Sequence, residues 1–420
     1  MLNLKLFLFF CILGFSSFSQ IKDYKRITST LCSPNFHGRG YVNKGDSIAA
    51  DFIKGEFQKI GLKPRKKNFL QTFNLGVNTF PNKMLVQVAD IPLSPGVDFI
   101  VAPESGSFNG EIYPKELSVE QFLNEESLVL AIKGILNNEV RSNAILYNSV
   151  GVQSDTNNRI HSIIQQLLSI VPVIEIVDSK FMWSVGREQV KYPYLKIQTS
   201  VKLEASIIVH IDAKFEKNYS SQNIIAYLPS KKWNAKTIVV TAHYDHLGRM
   251  GKETYFPGAN DNASGIGVLL AIAQHFKQNK SDKNLLFIAF GGEEAGLIGS
   301  HYFVNHPTYP IRKIDFVLNI DIMGSGDDGI TVVNATEQEK AYHLLEQINN
   351  QKQLISRVKK RGQTKNSDHY WFSEKGVPAI FVYTQGSNKN YHDINDTYEN
   401  LIFDEVENLK ELFTSFIRQY

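Results

Sequence analysis

The stretch "VVTAHYDHLG", Val239 to Gly248, gathers His243, Asp245 and His246 directly after a run of β-branched apolar residues. Imidazole and carboxylate groups are costly to bury unless something pairs with them. A buried strand ending in such a cluster therefore points to a cation held there. The arrangement recurs downstream. "PGANDNASG" brings Asp261 just before a helical stretch, and "LLFIAF" runs into "GGEEAG" with Glu293 and Glu294. "FVLNID" ends in Asp321, and "YHDINDT" near the C-terminus holds His392. One such residue after a strand is ordinarily a cap or a loop group. Several apolar runs, each followed by a metal-capable side chain, fit a single shared site.

The donor types fit zinc. Imidazole nitrogen and carboxylate oxygen are ordinary zinc ligands where thiolate is lacking. The donors outnumber the roughly three protein ligands of one catalytic zinc. They suit two ions sharing one carboxylate and lying ~3.5–4 Å apart. Adjacent Glu293 and Glu294 point opposite ways in an extended segment. One of them can ligate while the other faces water as a base, and Gly291 and Gly292 permit the turn that aims them. There is no GxSxG elbow and no HExxH motif, so serine catalysis and the helical zinc motif have no support.

The elements that must position these groups are legible in the same region. "NIIAYL", "TIVVTA", "LLFIAF", "FVLNID" and "AIFVY" are short apolar runs separated by helical stretches such as "SGIGVLLAIAQHFKQ" from Ser264. This alternation predicts an α/β fold, a mostly parallel sheet sandwiched by helices. In such sheets ligands bind outside the carboxyl ends of the strands, where the donors lie. Further upstream, "GDSIAADFIKGEFQKIGLKP" spaces Ile48, Phe52, Phe57 and Ile60 for a helix stopped by Gly61 and Pro64. Residues 79–207 read differently. Runs such as "MLVQVA", "AILYNS" and "VPVIEIV" alternate with loops, which predicts an inserted strand-rich domain. It holds no metal-capable cluster at strand ends, so zinc binding is expected not to need it.

Composition sets the outer limits. Hydrophobic residues make up 43% and charged residues 21% of 420 positions, which is ordinary for a globular chain. A formal charge of +3 without strong clustering gives no reason to expect nucleic acid as a partner. Lys5, the apolar run "LFLFFCILGF" and the small residues Ser17 and Ser19 read as a signal peptide over residues 1–19. The apolar run is short for a membrane span of roughly 17–25 residues, and no second stretch is long enough. The mature protein is thus expected to be exported, periplasmic or secreted, with no membrane span. Its single remaining cysteine, Cys32, excludes an internal disulfide and a Cys-rich zinc site.

Six motifs, "AHYDHLG", "PGANDNASG", "GGEEAGLIGS", "LNIDIMG", "SDHYWF" and "YHDINDT", resemble in order those of the secreted di-zinc aminopeptidases, a family that includes glutamate carboxypeptidases and glutaminyl cyclases. The likeness spans about Asn223 to Leu401. The segment containing "LCSPNFHGRG" is similar to the family's N-terminal part, and the strand-rich middle resembles its protease-associated insertion. The resemblance implies two zinc ions (Zn2+) per chain, His243 and Asp321 on one, Glu294 and His392 on the other, and Asp261 bridging. It implies Glu293 as general base and Asp245 as the catalytic-site residue orienting His243, with a cis peptide after that aspartate and His246 only a neighbour. Residues 20–78 and 208–420 would then form the peptidase domain, with 79–207 inserted. Peptides would be the substrates. Aminopeptidase activity is the expectation; a carboxypeptidase, a glutaminyl cyclase or a non-catalytic binding protein are the alternatives. Ser367, Asp368 and His369 match a motif near the substrate pocket. Some relatives carry an oxyanion-stabilising tyrosine where this chain has Thr364, which leaves Tyr383 and Tyr391 as candidates for that role.

Overall fold

A computed structural model describes residues 21–137, 142–203 and 206–420; the signal-like segment 1–19 lies outside the described residues. Among the described residues, no helix is long and apolar enough to cross a membrane.

Among the described residues, nine strands form the central sheet: β1 (Lys63–Pro64), β2 (Leu70–Thr79), β3 (Lys214–Leu228), β4 (Thr237–His243), β5 (Asn284–Phe290), β6 (Phe316–Asp321), β7 (Ile330–Val333), β8 (Val358–Lys360) and β9 (Ala379–Thr384). Their order is β1-β3-β5-β4-β6-β9-β7-β8, with β2 also paired to β3. The four middle strands β5, β4, β6 and β9 run parallel. The flanking β3 and β7 pair antiparallel to them.

Continuous apolar strands need cover on both faces. Alternation along β4 delivers Ile238 and Val240 to one face and Val239 to the other. The first face is packed by helices α1 (Gly45–Ile60), α2 (Ser264–Gln278), α4 (Glu339–Lys352) and α6 (Val406–Gln419), through residues such as Phe57, Leu269, Leu345 and Phe413. The second is packed by α3 (Ile298–Asn305) and α5 (His369–Glu374), through Phe303 and Phe372. Helix α1 ends where the sequence predicts, at Gly61 with φ +81°. A left-handed residue at that position closes the helix at little cost only when it is glycine.

The chain leaves the central sheet after Thr79 and returns at Lys214, which pair with each other. Between them lie two smaller sheets. One is four-stranded and antiparallel, built from Met84–Val88, Ile91–Pro92, Phe108–Ile112 and Ile207–Ile211. The other has five strands, mostly parallel, from Phe99–Val101, Pro114–Leu117, Ala144–Asn148, Val173–Val177 and Tyr194–Gln198. Residues 208–211 thus pair within the four-stranded sheet. This middle region is also less purely β than expected. Helices over Val119–Leu123, Glu125–Leu136 and Ser154–Leu167 are present, the first opened by a reciprocal Ser118–Gln121 capping box. The apolar residues of Glu125–Leu136 pass for a strand-like run among loops, although the capping box is itself a helix-start signal.

Candidate metal centre

His243 closes β4 and Asp321 closes β6. Asp261 stands just before α2, Glu293 and Glu294 follow β5, and His392 lies in the loop after β9. The sheet brings these ends to one edge. His243 Nε2 lies 3.1 Å from Asp261 Oδ1 and 3.2 Å from Asp321 Oδ1. His392 Nε2 lies 3.1 Å from Asp261 Oδ2 and 3.2 Å from Glu294 Oε2. The two oxygens of Asp261 therefore face two different imidazoles.

His246 is more than a neighbour. Its Nδ1 lies 2.8 Å from Glu294 Oε1, and its buried Nε2 has no hydrogen-bond partner among the described residues. Asp245 also acts differently from the expectation. His243 Nδ1 meets the main-chain oxygen of Asp245 at 3.2 Å, while the carboxylate stands 3.9 Å away. That carboxylate instead accepts the N–H groups of Glu293 (3.1 Å) and Glu294 (3.3 Å) and the hydroxyl of Tyr41 (3.3 Å). Asp245 thus aims the two-glutamate turn. Gly292, with φ +67°, supplies the backbone reversal, and a Cβ on Gly291 would stand 2.7 Å from the Gln222 oxygen. Glu294 is drawn to the histidines. Glu293 lines the cavity, and no hydrogen bond or ion pair among the described residues engages its carboxylate.

The Asp261 loop is clamped from several sides. Its Asp261–Asn262 bond is the cis peptide; the bond after Asp245 is not. Asp396 accepts the N–H groups of Asn260 (2.8 Å) and Asp261 (3.0 Å). Asn262 accepts from Gly265 and Ile322 and donates to Ile320, tying the loop to the end of β6. Its full burial rules out use of the "NAS" sequence as a glycosylation acceptor in the fold. Arg39, fully buried, gives five hydrogen bonds to main-chain oxygens of Leu31, Tyr244, Pro257, Gly258 and Asp261. Each buried carbonyl left unpaired costs ~1–3 kcal/mol. Arg39→Ala is therefore expected to destabilise the fold by roughly 3 kcal/mol or more. Urea unfolding measures this, and a variant as stable as the parent would refute the assigned role.

The remaining motif splits in function. Ser367 donates to Asp321 (3.3 Å) and accepts from Asn319 (2.8 Å), so it steadies a candidate ligand. The side chains of Asp368 and His369 are buried, with Ser300 beside the Asp368 carboxyl. Burial pushes the Asp368 carboxyl up to about 7. Tyr391 stacks on the His392 ring at 4.0 Å. Tyr383 accepts from Arg361 at 3.0 Å. Both tyrosines and Arg361 line the cavity that holds the donors.

The electrostatics describe a site built for positive charge. Burial alone would lower His243, but Asp321, Glu293 and Asp261 override it and hold the imidazole well above its usual range. His392 rises to about 11, with burial opposing and Glu294 and Asp261 prevailing. Glu294 sits at about 2 because His392 and His246 outweigh its burial. Burial lifts Asp245 to about 7 and raises Glu293 well above the usual carboxylate range, with Asp368 and Glu294 adding to the latter. Two donor groups, His243–Asp261–Asp321 and His246–Asp261–Glu294, each converge within 4.8 Å. Carboxylates and imidazoles so gathered, sharing Asp261, fit zinc.

The fold and donor set define a metallopeptidase-like α/β domain. The model of Peptidase family M28 matches residues 223–417. The matched segment, a little under half of the chain, resembles an M28 peptidase domain. Over 209 residues it is 31% identical to aminopeptidase YwaD of Bacillus subtilis, which covers 48% of this chain and 45% of that one. The chain spans about half the length of such curated relatives. Its fold is that of a zinc aminopeptidase from Bacillus subtilis, with a TM-score of 0.69 at 19% identity over 94% of both chains. An aminopeptidase from Aneurinibacillus sp. strain AM-1 gives a TM-score of 0.62 at 19% identity, over 95% of this chain and 93% of that one.

Proposed function

We propose that the protein is an exported zinc aminopeptidase that removes the N-terminal residue of peptides with two zinc ions per chain. The observation that carries this reading is Asp261, whose two oxygens each face a separate imidazole at 3.1 Å. His243 and Asp321 would hold one ion, His392 and Glu294 the other, and Asp261 both. His246 would steady Glu294 from behind. Bound there, zinc would supply a Lewis acid for the scissile carbonyl and make water acidic enough to lose a proton near pH ~7. Glu293, with no hydrogen-bond or ion-pair partner among the described residues and facing the cavity, would accept that proton once bound cations offset the carboxylates that raise it, and would return it to the leaving amine. Asp245 keeps Glu293 aimed by holding its main-chain N–H. The carboxylates crowding the cavity also suit a free α-amine.

One observation favours a second reading, a carboxypeptidase. Arg361, outside the six motifs, lines the cavity, and guanidinium is suited to clamping a carboxylate. A matched pair of peptides separates the two. The free peptide should be cleaved from its N-terminus and the N-acetylated one should resist. Hydrolysis of the acetylated peptide from its C-terminal end would establish the carboxypeptidase instead.

A further inference from the structure

The middle region touches the metal centre. His392 Nδ1 lies 2.9 Å from the main-chain oxygen of Trp183, a residue 209 positions earlier in the chain. The Trp183 N–H donates back to the His392 carbonyl, also at 2.9 Å. Three residues before Trp183, the Lys180 ammonium donates to the Lys389 carbonyl at 2.9 Å and pairs with the buried carboxylate of Asp393. Residues 180–183 thus grip the His392 loop on both sides of the ligand.

The grip is itself anchored. Trp183 is 5% exposed, and its indole N–H donates to the Val101 oxygen at 2.7 Å, on the edge strand of the five-stranded sheet. Its ring stacks on Phe256 at 4.7 Å, just ahead of the Pro257–Asp261 loop. His392 needs outside support, because its backbone is left-handed at φ +54°. A residue with a Cβ is held there only when its surroundings over-determine it.

We propose that the inserted module is a working part of the metal centre. In this inference, which rests on the two-zinc reading, Trp183 and Lys180 are positioning residues for the Glu294–His392 end. A carbonyl can only accept, so its bond to Nδ1 requires the proton on Nδ1. That leaves the Nε2 lone pair turned towards Asp261 and Glu294, the tautomer a metal ligand needs. The His243 end has no such contact, since its Nδ1 is served within its own loop. The two ends of the site should therefore respond differently when the grip is loosened.

The test is a zinc titration of the full-length protein against a chromophoric chelator, repeated with cobalt(II) to read its absorption bands. The variants are Lys180→Ala, Lys180→Arg and Trp183→Phe. Lys180 is 47% exposed, and the buried Asp393 carboxylate it pairs with still accepts the Tyr391 and Asn395 N–H groups, so its loss should lower the melting temperature only modestly. In Lys180→Ala, which loosens the loop rather than His392's own partner, one of two zinc equivalents should bind more weakly by up to the ~10–100-fold of a lost outer partner. The other should keep its affinity, and the cobalt spectrum of the weakened position should change. Lys180→Arg should restore the affinity. Trp183→Phe keeps a ring against Phe256 but loses the bond to Val101, and should weaken the same equivalent. Two zinc ions bound with parental affinities in both Lys180→Ala and Trp183→Phe would overturn the inference while leaving the two-zinc reading intact. Equal weakening of both equivalents with a fall in melting temperature would also overturn it, as general destabilisation. A parent protein binding one zinc would remove the two-zinc reading and this inference together.

Discussion

Glu293→Gln should lower kcat by ~10²–10⁴-fold, the range for loss of a general base, with bound zinc undiminished. The expectation comes from the contrast between adjacent glutamates. Glu294 is committed to His246 at 2.8 Å and His392 at 3.2 Å, and sits at about 2 because of those imidazoles. Glu293 has no such partner and faces the cavity. Glutamine keeps the size of Glu293, and the Asp245 carboxylate still holds the main-chain N–H, so the turn survives. Glu294→Gln should instead lose metal first and rate as a consequence. Steady-state kinetics beside metal analysis of both variants decides the matter. If Glu293→Gln lost zinc, or kept full rate at full occupancy, the division of labour would be wrong.

Asp261→Asn should remove both metals, where Asp321→Asn or His392→Ala should weaken chiefly one. Asp261 alone touches both imidazoles, so losing its charge affects both positions at once. The loop should stay folded, because Arg39 and Asp396 hold its main chain. The parent protein should carry about two zinc equivalents under replete conditions. Asp261→Asn should carry none after dialysis and lose activity accordingly. A parent with one zinc and full activity would defeat the two-metal reading. An Asp261→Asn variant retaining one tightly bound zinc would show that the carboxylate serves a single ion.

The parallel core, the end of α1 at Gly61 and the start of α2 at Ser264 were legible because local pattern specifies them. Apolar runs between helical stretches leave few alternatives to a covered parallel sheet. The metal-capable residues were legible for a related reason: each sits just beyond a strand, and strands of one parallel sheet share an edge. The helices over Glu125–Leu136 and Ser154–Leu167 were not read, although Ser154–Leu167 spaces Ile160, Ile164 and Leu167 along one buried face, because the β-like runs around them set the reading of the whole segment.

The residues that hold the site were harder to see. Arg39 lies in "HGRG", which reads as a polar turn, and nothing in that string says five carbonyls will surround it. Asp396 lies inside a motif already singled out, yet its partners are N–H groups of a loop more than a hundred residues away. His246 and Asp245 were visible, but their partners were not.

By itself the sequence marked which side chains are candidates for the chemistry, because donor type and strand-end placement are local properties. Tertiary structure alone decided how they are held: Asp261 between two imidazoles, Asp245 on the glutamate turn, and His392 met from the middle region by Trp183. The physical reason is that many of these contacts run through main-chain N–H and C=O groups. Those groups are the same in every residue, so the sequence does not mark which of them will meet.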